Sequence, residues 1–205
     1  MAAEHEGSGP ARMGDGRRAL VLIGPSGSGK SSVVRALQSR GVVRVHPTWT
    51  TRSRRADEVD GSVEHRFVSH PKFERLAANG FFLHTVQLFG LADWYGLPPI
   101  EWQGDDVVDA VMLRAPLVAR FAQDYPDHVV YQVEASRDVM VERLGARGYG
   151  PDELRARLAD NERECVAGHA LAFRRFRNDG ALAVVVDEVA AAVADDFATA
   201  SQVTS

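Results

Sequence analysis

ALVLIGPSGSGKSS, residues 19–32, is an apolar run that leads directly into a cluster of glycine and serine. The apolar run is typical of a buried parallel strand, and the apolar spacing after residue 31 indicates a helix. Between them, residues 24–31 match G-x-x-x-x-G-K-[ST], a pattern whose backbone N–H groups surround phosphate oxygens at the N-terminus of a helix. The stretch therefore predicts a strand, a phosphate-binding loop and a helix, in that order.

Lysine is rare in this chain, because only Lys30 and Lys72 are lysines among its 24 lysine and arginine residues. A lysine ammonium is a compact, mobile charge that reaches between the β- and γ-phosphates of ATP, whereas the planar arginine fork does not imitate it. The hydroxyl of Ser31 is expected to bind Mg²⁺ beside those phosphates. ATP and Mg²⁺ are therefore the predicted cofactors. The predicted ATP-binding residues of the loop are Gly24, Pro25, Ser26, Gly27, Ser28, Gly29, Lys30, Ser31 and Ser32.

The bulk composition narrows the class of protein. A formal net charge of −4 gives no overall attraction to nucleic acid or to an anionic membrane, so neither is an expected partner. The single cysteine, Cys165, excludes an intramolecular disulfide and fits a cytoplasmic location. No apolar run approaches the roughly 18 residues that a membrane span needs. Residues 1–17 lack the apolar stretch of a signal peptide, so we expect a disordered tail before one domain at 18–205.

Strand-like and helix-like segments alternate along the chain, which predicts an α/β fold with a mostly parallel sheet covered on both faces. Strands are expected at residues 19–23, 42–49, 81–88, 107–113, 128–133 and 173–176. Helices are expected at residues 31–39, 69–79, from about 116, and at 136–144, 152–169 and 181–197. Residues 50–64 are predicted to be an exposed polar loop, and residues 90–99 a turn-rich connection.

Beyond the loop, the chain resembles guanylate kinase. The stretches that carry the resemblance are TWTTRSRRADEVDG (48–61), RFVSHPKFERLAANGFFL (66–83), WYG (94–96), ERLGARG (142–148), RARL (155–158) and RND (177–179). It covers roughly residues 19–198. The resemblance implies a three-layer P-loop NTPase with a central parallel sheet, a small acceptor-binding lobe at about 48–99 and a mobile lid at about 145–157.

Arg52 and Arg55 lie three residues apart in a polar segment and suit a two-armed clamp on a phosphate or a carboxylate. In guanylate kinase, two such arginines and two tyrosines hold the acceptor's own phosphate. The resemblance implies this role for Arg52, Arg55 and Tyr95, and for His65 at the place of the second tyrosine. The alternative is that the arginines form a solvated basic run.

The positions that would contact the acceptor's base differ from guanylate kinase. Guanine presents N–H donors on one edge, and that family meets them with a glutamate, an aspartate and a small hydroxyl. By resemblance, these positions fall on His84, Val111 and Thr48. Valine accepts no hydrogen bond and a neutral histidine accepts only one. The sequence therefore predicts an acceptor pocket that does not suit GMP, unless His84 is a core histidine without a role.

The resemblance implies three further assignments. Asp109 matches the first aspartate of a D-x-D pattern and is expected at the end of a core strand, where it would bind Mg²⁺; a capping role is the alternative. Arg147 and Arg157 match lid arginines that close over the transferring phosphate, with Arg143 as a further candidate; surface ion pairs are the alternative. Asn178 matches a contact to the ATP base.

We therefore expect an ATP-dependent kinase that phosphorylates a small phosphorylated acceptor, a nucleoside monophosphate other than GMP, with Lys30, Arg52, Arg147 and Arg157 as catalytic residues. Two alternatives within the class stay open. One is a sugar-phosphate kinase, because the chain is also similar to the ribose bisphosphate kinase of phosphonate metabolism; the other is a GMP kinase with altered base contacts. A non-enzymatic guanylate-kinase-like binding module is a third alternative, although such modules typically lose the intact loop. A monomer or a homodimer is expected.

Overall fold

A computed structural model describes residues 18–54, 58, 63–87, 93–103 and 107–198. The strands within these residues are β1 Ala19–Ile23, β2 Val43–His46, β3 Thr48–Thr50, β4 His65–Phe67, β5 His84–Gln87, β6 Trp94–Leu97, β7 Val108–Met112, β8 His128–Glu134 and β9 Arg174–Arg177. The helices are α1 Lys30–Ser39, α2 His70–Ala78, α3 Ala115–Asp124, α4 Arg137–Gly145, α5 Pro151–Leu171 and α6 Leu182–Phe197. The predicted tail at 1–17 lies outside the described residues.

A five-stranded parallel sheet in the order β2-β7-β1-β8-β9 forms the centre of the molecule. Alternate residues of β1 point to opposite faces, so each face of the sheet has its own apolar cluster. Leu20 and Leu22 pack with α1 and α6 on one face, whereas Ala19, Val21 and Ile23 pack with α3 on the other. These helix–sheet–helix layers confirm the α/β, P-loop NTPase fold that the sequence predicts.

A second, four-stranded sheet in the order β4-β3-β6-β5 occupies part of the segment in which we placed the acceptor-binding lobe. The predicted single strand at 42–49 is wrong, because Pro47 separates β2 in the main sheet from β3 in the second one. The predicted connection at 90–99 contains β6, which pairs with both β3 and β5. Its Gly96 lies against the Phe82 ring, 2.7 Å from where a Cβ would stand, so this glycine serves close packing rather than a turn.

The remaining predicted strands and helices agree with the structure to within a few residues. The predicted exposed loop at 50–64 is wrong in its exposure, because Thr50 ends β3 and the side chains of Arg52, Glu58 and Glu64 are buried. None of the described helices combines the length and the apolar character that a membrane span requires.

Candidate active site

The phosphate-binding loop follows β1 in a backbone conformation that only glycine adopts readily. Gly24 and Gly29 have φ angles of +137° and +90°. A Cβ on Gly24 would stand 2.0 Å from the carbonyl oxygen of Val133, and one on Gly29 would stand 2.2 Å from Nδ2 of Asn178. Glycine is therefore needed at both positions for two reasons: other residues disfavour this backbone angle, and a side chain would clash with its neighbours.

Lys30 begins α1 and folds back over the loop, where its Nζ donates to the carbonyl oxygens of Gly24 and, at 2.9 Å, of Pro25. Beside it lies a solvent-open cavity, of about 420 Å³ with its open mouth included. Its lining residues are Gly29, Lys30, Ser31, Ser32, Arg35, Glu58 and Arg147. The predicted phosphate-binding lysine, the predicted Mg²⁺-binding hydroxyl and one predicted lid arginine thus share one cavity, with further charged side chains from Arg35 and Glu58.

Asn161 is a site residue that sequence reasoning missed. It lies on α5, is 1 % exposed, and forms two hydrogen bonds with Ser26 of the loop. Its Oδ1 accepts from the Ser26 N–H at 2.8 Å, and its Nδ2 donates to the Ser26 carbonyl at 2.7 Å. A buried asparagine in the middle of a long helix is the only signal that the sequence offers for this contact, because its partner lies 135 residues away.

Two predicted residues contact the loop backbone as well. Asn178 is buried, and its Nδ2 donates to the carbonyl oxygen of Ser28 at 2.8 Å. Arg143 lies near the same segment, with Nη1 at 3.3 Å from the Gly27 carbonyl and 3.4 Å from that of Ser28. The structure therefore gives Asn178 a loop-supporting contact, while the predicted contact to the ATP base stays a prediction.

Arg52 is only 8 % exposed and forms a two-pronged ion pair with the buried Glu58. Nη1 lies 2.9 Å from Oε2, and Nη2 lies 2.6 Å from Oε1. Burial lowers the pKa of Arg52, but the hydrogen bond and charge of Glu58, together with Tyr95, outweigh it, so the pKa is raised. Because Glu58 also lines the cavity beside Lys30, the guanidinium of Arg52 is one carboxylate away from that cavity. Arg55 lies outside the described residues.

Four of the predicted acceptor residues come together in the second sheet. The His65 Nδ1 lies 2.8 Å from Oγ1 of Thr48, and the His65 ring meets the Tyr95 ring edge-on at 6.1 Å. Thr48 and Tyr95 line a solvent-open cavity, of about 300 Å³ with its open mouth included, together with His84. The other lining residues are Thr85, Val86, Gly96, Leu97, Leu113, Leu117 and Phe121. His84 faces this largely apolar cavity, and its Nε2 also lies 2.8 Å from a carboxylate oxygen of Asp124.

Val111 does not reach the acceptor cavity. It is fully buried in the apolar cluster on the α3 face of the main sheet, and Leu113, two residues further along, lines the cavity instead. The error comes from the register, because alternate residues share a face and only those past the end of β7 reach the cavity.

Asp109 is the second residue of β7, and the predicted position at the end of that strand is wrong. Ala110 pairs with Leu20, so Asp109 stands level with Ala19, about 16 Å short of Gly24 at the usual rise per residue of a strand. Its carboxylate instead lies 2.6 Å from Nε2 of His46. Within the described residues, no group of three or more His, Cys, Asp and Glu side chains is placed to hold a metal ion.

The two predicted lid arginines lie in different surroundings. Arg147 lines the cavity of Lys30. Arg157 instead lies over the ring of Tyr149, 4.1 Å from its centroid, and pairs with Glu153 at 2.8 Å. The structure therefore places Arg147 beside the loop, whereas Arg157 contacts Tyr149 and Glu153.

Comparison with known proteins agrees with this geometry. The family model described as guanylate kinase matches residues 16–96. Over 152 residues, the chain is 36 % identical to a guanylate kinase of Symbiobacterium thermophilum, covering 69 % of this chain and 68 % of that protein. It is 34 % identical over 152 residues to one of Granulibacter bethesdensis, with 70 % of each chain covered. A crystal structure of guanylate kinase from Anaplasma phagocytophilum superposes with a TM-score of 0.65 at 20 % identity, covering 94 % of this chain and 93 % of that one.

A central parallel sheet whose first strand runs into a glycine-rich phosphate loop, with a cavity bordered by Lys30 and Arg147, defines a P-loop phosphotransferase. Within that class, the chain belongs to the guanylate kinase family, and it is an ATP-dependent kinase.

Replacing Asn161 with leucine should weaken ATP binding, because both hydrogen bonds to Ser26 are lost and the half-buried Ser26 N–H and C=O lose these partners. At about 1–3 kcal/mol for such a loss, ATP affinity should fall roughly 5- to 150-fold. Calorimetric titration with ATP measures it. Glu162→Gln is the matched control, since Glu162 is the next residue of α5 and its ion pair with Arg137 is solvent-exposed. Equal ATP affinity of Asn161→Leu and the control would contradict the assigned contact.

Proposed function

We propose that this kinase transfers the γ-phosphate of ATP to the phosphate of a small acceptor, a nucleoside monophosphate for which guanine is not the preferred base. One observation carries the proposal: Lys30 lines the same cavity as Glu58, the carboxylate that holds the Arg52 guanidinium. A phosphoryl-transfer site needs cations for both the donor's and the acceptor's phosphates, aligned about one transferring group.

Different residues of the chain have different roles in the reaction. The loop N–H groups and Lys30 bind the ATP phosphates, and Lys30 exchanges its two carbonyl contacts for phosphate oxygens. Arg147 adds positive charge on the same cavity, where charge develops during transfer. Ser31 would hold Mg²⁺, which supplies charge neutralisation between the β- and γ-phosphates. No general base is required, because an acceptor phosphate is already ionised at neutral pH.

The acceptor cavity supports the specificity. A guanine edge presents N1–H and N2–H₂ donors, but the polar side chains lining the cavity are those of Thr48, His84, Thr85 and Tyr95. No carboxylate lines the described part of it, since Val111 lies in the core and Leu113 faces the cavity. Each unmet buried donor costs about 1–3 kcal/mol. GMP should therefore bind less well than a base with fewer donors on that edge.

An ADP-release screen tests the function. The panel is GMP, AMP, CMP, UMP, dTMP, ribose 1-phosphate and ribose 5-phosphate, each assayed with Mg²⁺ and ATP. We expect acceptor-dependent ADP release by the natural chain and none by Lys30→Met, because the loop then lacks its only ammonium. ADP release that is independent of every acceptor, or that survives Lys30→Met, contradicts the proposal.

Arg52→Lys tests the acceptor side alone. Lysine retains the charge opposite Glu58 but loses the two-pronged geometry, so the KM of the acceptor found in the screen should rise about tenfold or more. The KM of ATP should change by less than about twofold, since the loop is untouched. Arg54→Lys is the control: Arg54 is exposed and stacks on the same Phe67 ring, at 5.0 Å against 5.1 Å for Arg52. Equal changes in both KM values would remove Arg52 from the acceptor site.

Restoring a carboxylate should restore GMP use. His84→Glu places an acceptor in the cavity, and the companion change Asp124→Asn removes the like charge that lies 2.8 Å from the His84 ring. One regained hydrogen-bond acceptor should raise kcat/KM for GMP by about 5- to 150-fold. Asp124→Asn alone is the control. If GMP turnover of the double variant equals that of the control, His84 does not face the acceptor's base.

A further inference from the structure

We infer that Arg114 and Asp160 form a donor–acceptor pair that binds a hydroxyl group of the acceptor's sugar. The inference rests on the proposed function, since it names a second contact for the same acceptor. Neither residue belongs to the loop or to the predicted phosphate clamp.

Arg114 stands at the point where the two halves of the site meet. It follows β7, and the N–H of the preceding Leu113 donates to the carbonyl of Leu22 at 3.0 Å, which places Arg114 near the level of Gly24. Leu113 and Leu117, on either side of it in the chain, line the acceptor cavity. Arg114 therefore lies at the C-terminal end of the parallel strands, where the loop begins, and beside the acceptor cavity.

The guanidinium is held by two carboxylates of α5. Nη2 lies 2.5 Å from Oδ2 of Asp160, and Nε lies 3.0 Å from Oε2 of Glu164. Burial lowers the pKa of Arg114, but the charges of Glu164 and Asp160 outweigh it, so the pKa is raised and the group stays charged. Tyr95 contributes to the raised pKa of both Arg114 and Arg52.

The two carboxylates have different exposures. The Glu164 side chain is 1 % exposed, and its Oε1 accepts from the Ala115 N–H at 2.8 Å, so it serves to orient Arg114 and to begin α3. The side chains of Arg114 and Asp160 are 23 % and 33 % exposed. Among the described residues, no hydrogen bond reaches Arg114 Nη1 or Asp160 Oδ1. This pair thus offers one donor and one acceptor to a ligand.

The local charge favours a hydroxyl over a second anion. One guanidinium stands against two carboxylates, so the cluster carries a net charge of about −1, and an incoming phosphate or carboxylate would be repelled. A hydroxyl both accepts and donates, so it satisfies Arg114 Nη1 and Asp160 Oδ1 together. With the acceptor's phosphate near Arg52 and Tyr95, the ribose that follows it is the group that comes next to this pair.

Matched acceptor pairs test the inference. The probes are CMP, UMP, AMP and ribose 5-phosphate, each paired with its 2-deoxy and with its 3-deoxy counterpart. Their binding is measured by calorimetry with Mg²⁺ and a non-hydrolysable ATP analogue. The natural chain should bind the hydroxylated member of at least one pair about tenfold or more tightly, the usual scale of a hydrogen bond to a charged group.

Two variants then assign the preference to this pair. Asp160→Ala and Arg114→Lys should weaken binding of the hydroxylated member to the level of the deoxy compound and leave the deoxy compound unchanged. Asp152→Ala is the control, because Asp152 lies on the same helix with a 95 % exposed side chain. The deoxy compound also reports on folding, since a damaged site would lose affinity for both members.

Equal binding of both members by the natural chain overturns the inference, and so does an equal loss of both in Asp160→Ala. Failure of every hydroxylated probe to bind overturns it too. ADP release on a probe without hydroxyl preference leaves the proposed function standing. Hydroxyl-selective binding without ADP release would leave this inference standing and contradict the proposed function.

Discussion

The backbone of the phosphate loop is held by side chains from three other parts of the chain. Asn161 of α5 clamps Ser26 from both sides, Asn178 after β9 holds the carbonyl of Ser28, and Arg143 of α4 lies against the same segment. A loop of glycines has no stiffness of its own, so its N–H groups can stay aimed at phosphate only if other elements fix them. Helices α4 and α5 and the segment after β9 therefore fix the conformation of that loop.

The same helix also holds Arg114. Asp160 and Glu164 of α5 contact Arg114, while Asn161, the residue after Asp160, holds Ser26. A rigid helix fixes the distance between these contacts, so donor loop and acceptor cavity keep their relative position. This arrangement is suited to in-line transfer, where small displacements of the reacting groups cost much of the rate.

Local charge matters here more than net charge. The chain carries a formal charge of −4 overall, yet Lys30, Arg35 and Arg147 surround one cavity and Arg52 lies one carboxylate away from it. Glu58 keeps Arg52 in place in the absence of a ligand, since a buried guanidinium without a partner would be costly. A protein with a net negative charge can thus bind phosphorylated substrates, because the attraction acts over the few ångströms of a single cavity.

By its resemblance to guanylate kinase, the sequence pointed to Thr48, His65, His84 and Tyr95, which the structure brings together. By itself, the sequence determined the strand, loop and helix at residues 19–39 and the three-layer fold. These features are local, or they follow from periodicity and from a motif whose residues are adjacent in the chain. Only the tertiary structure decided that Asp109 stands at the far end of β7, that Leu113 rather than Val111 faces the cavity, that Asn161 holds Ser26, and that Arg114 lies near the level of Gly24. Each of these depends on strand register or on contacts between residues far apart in the chain, and a shift of two residues along a strand changes which side chain faces the cavity while the hydrophobic pattern stays on the same face.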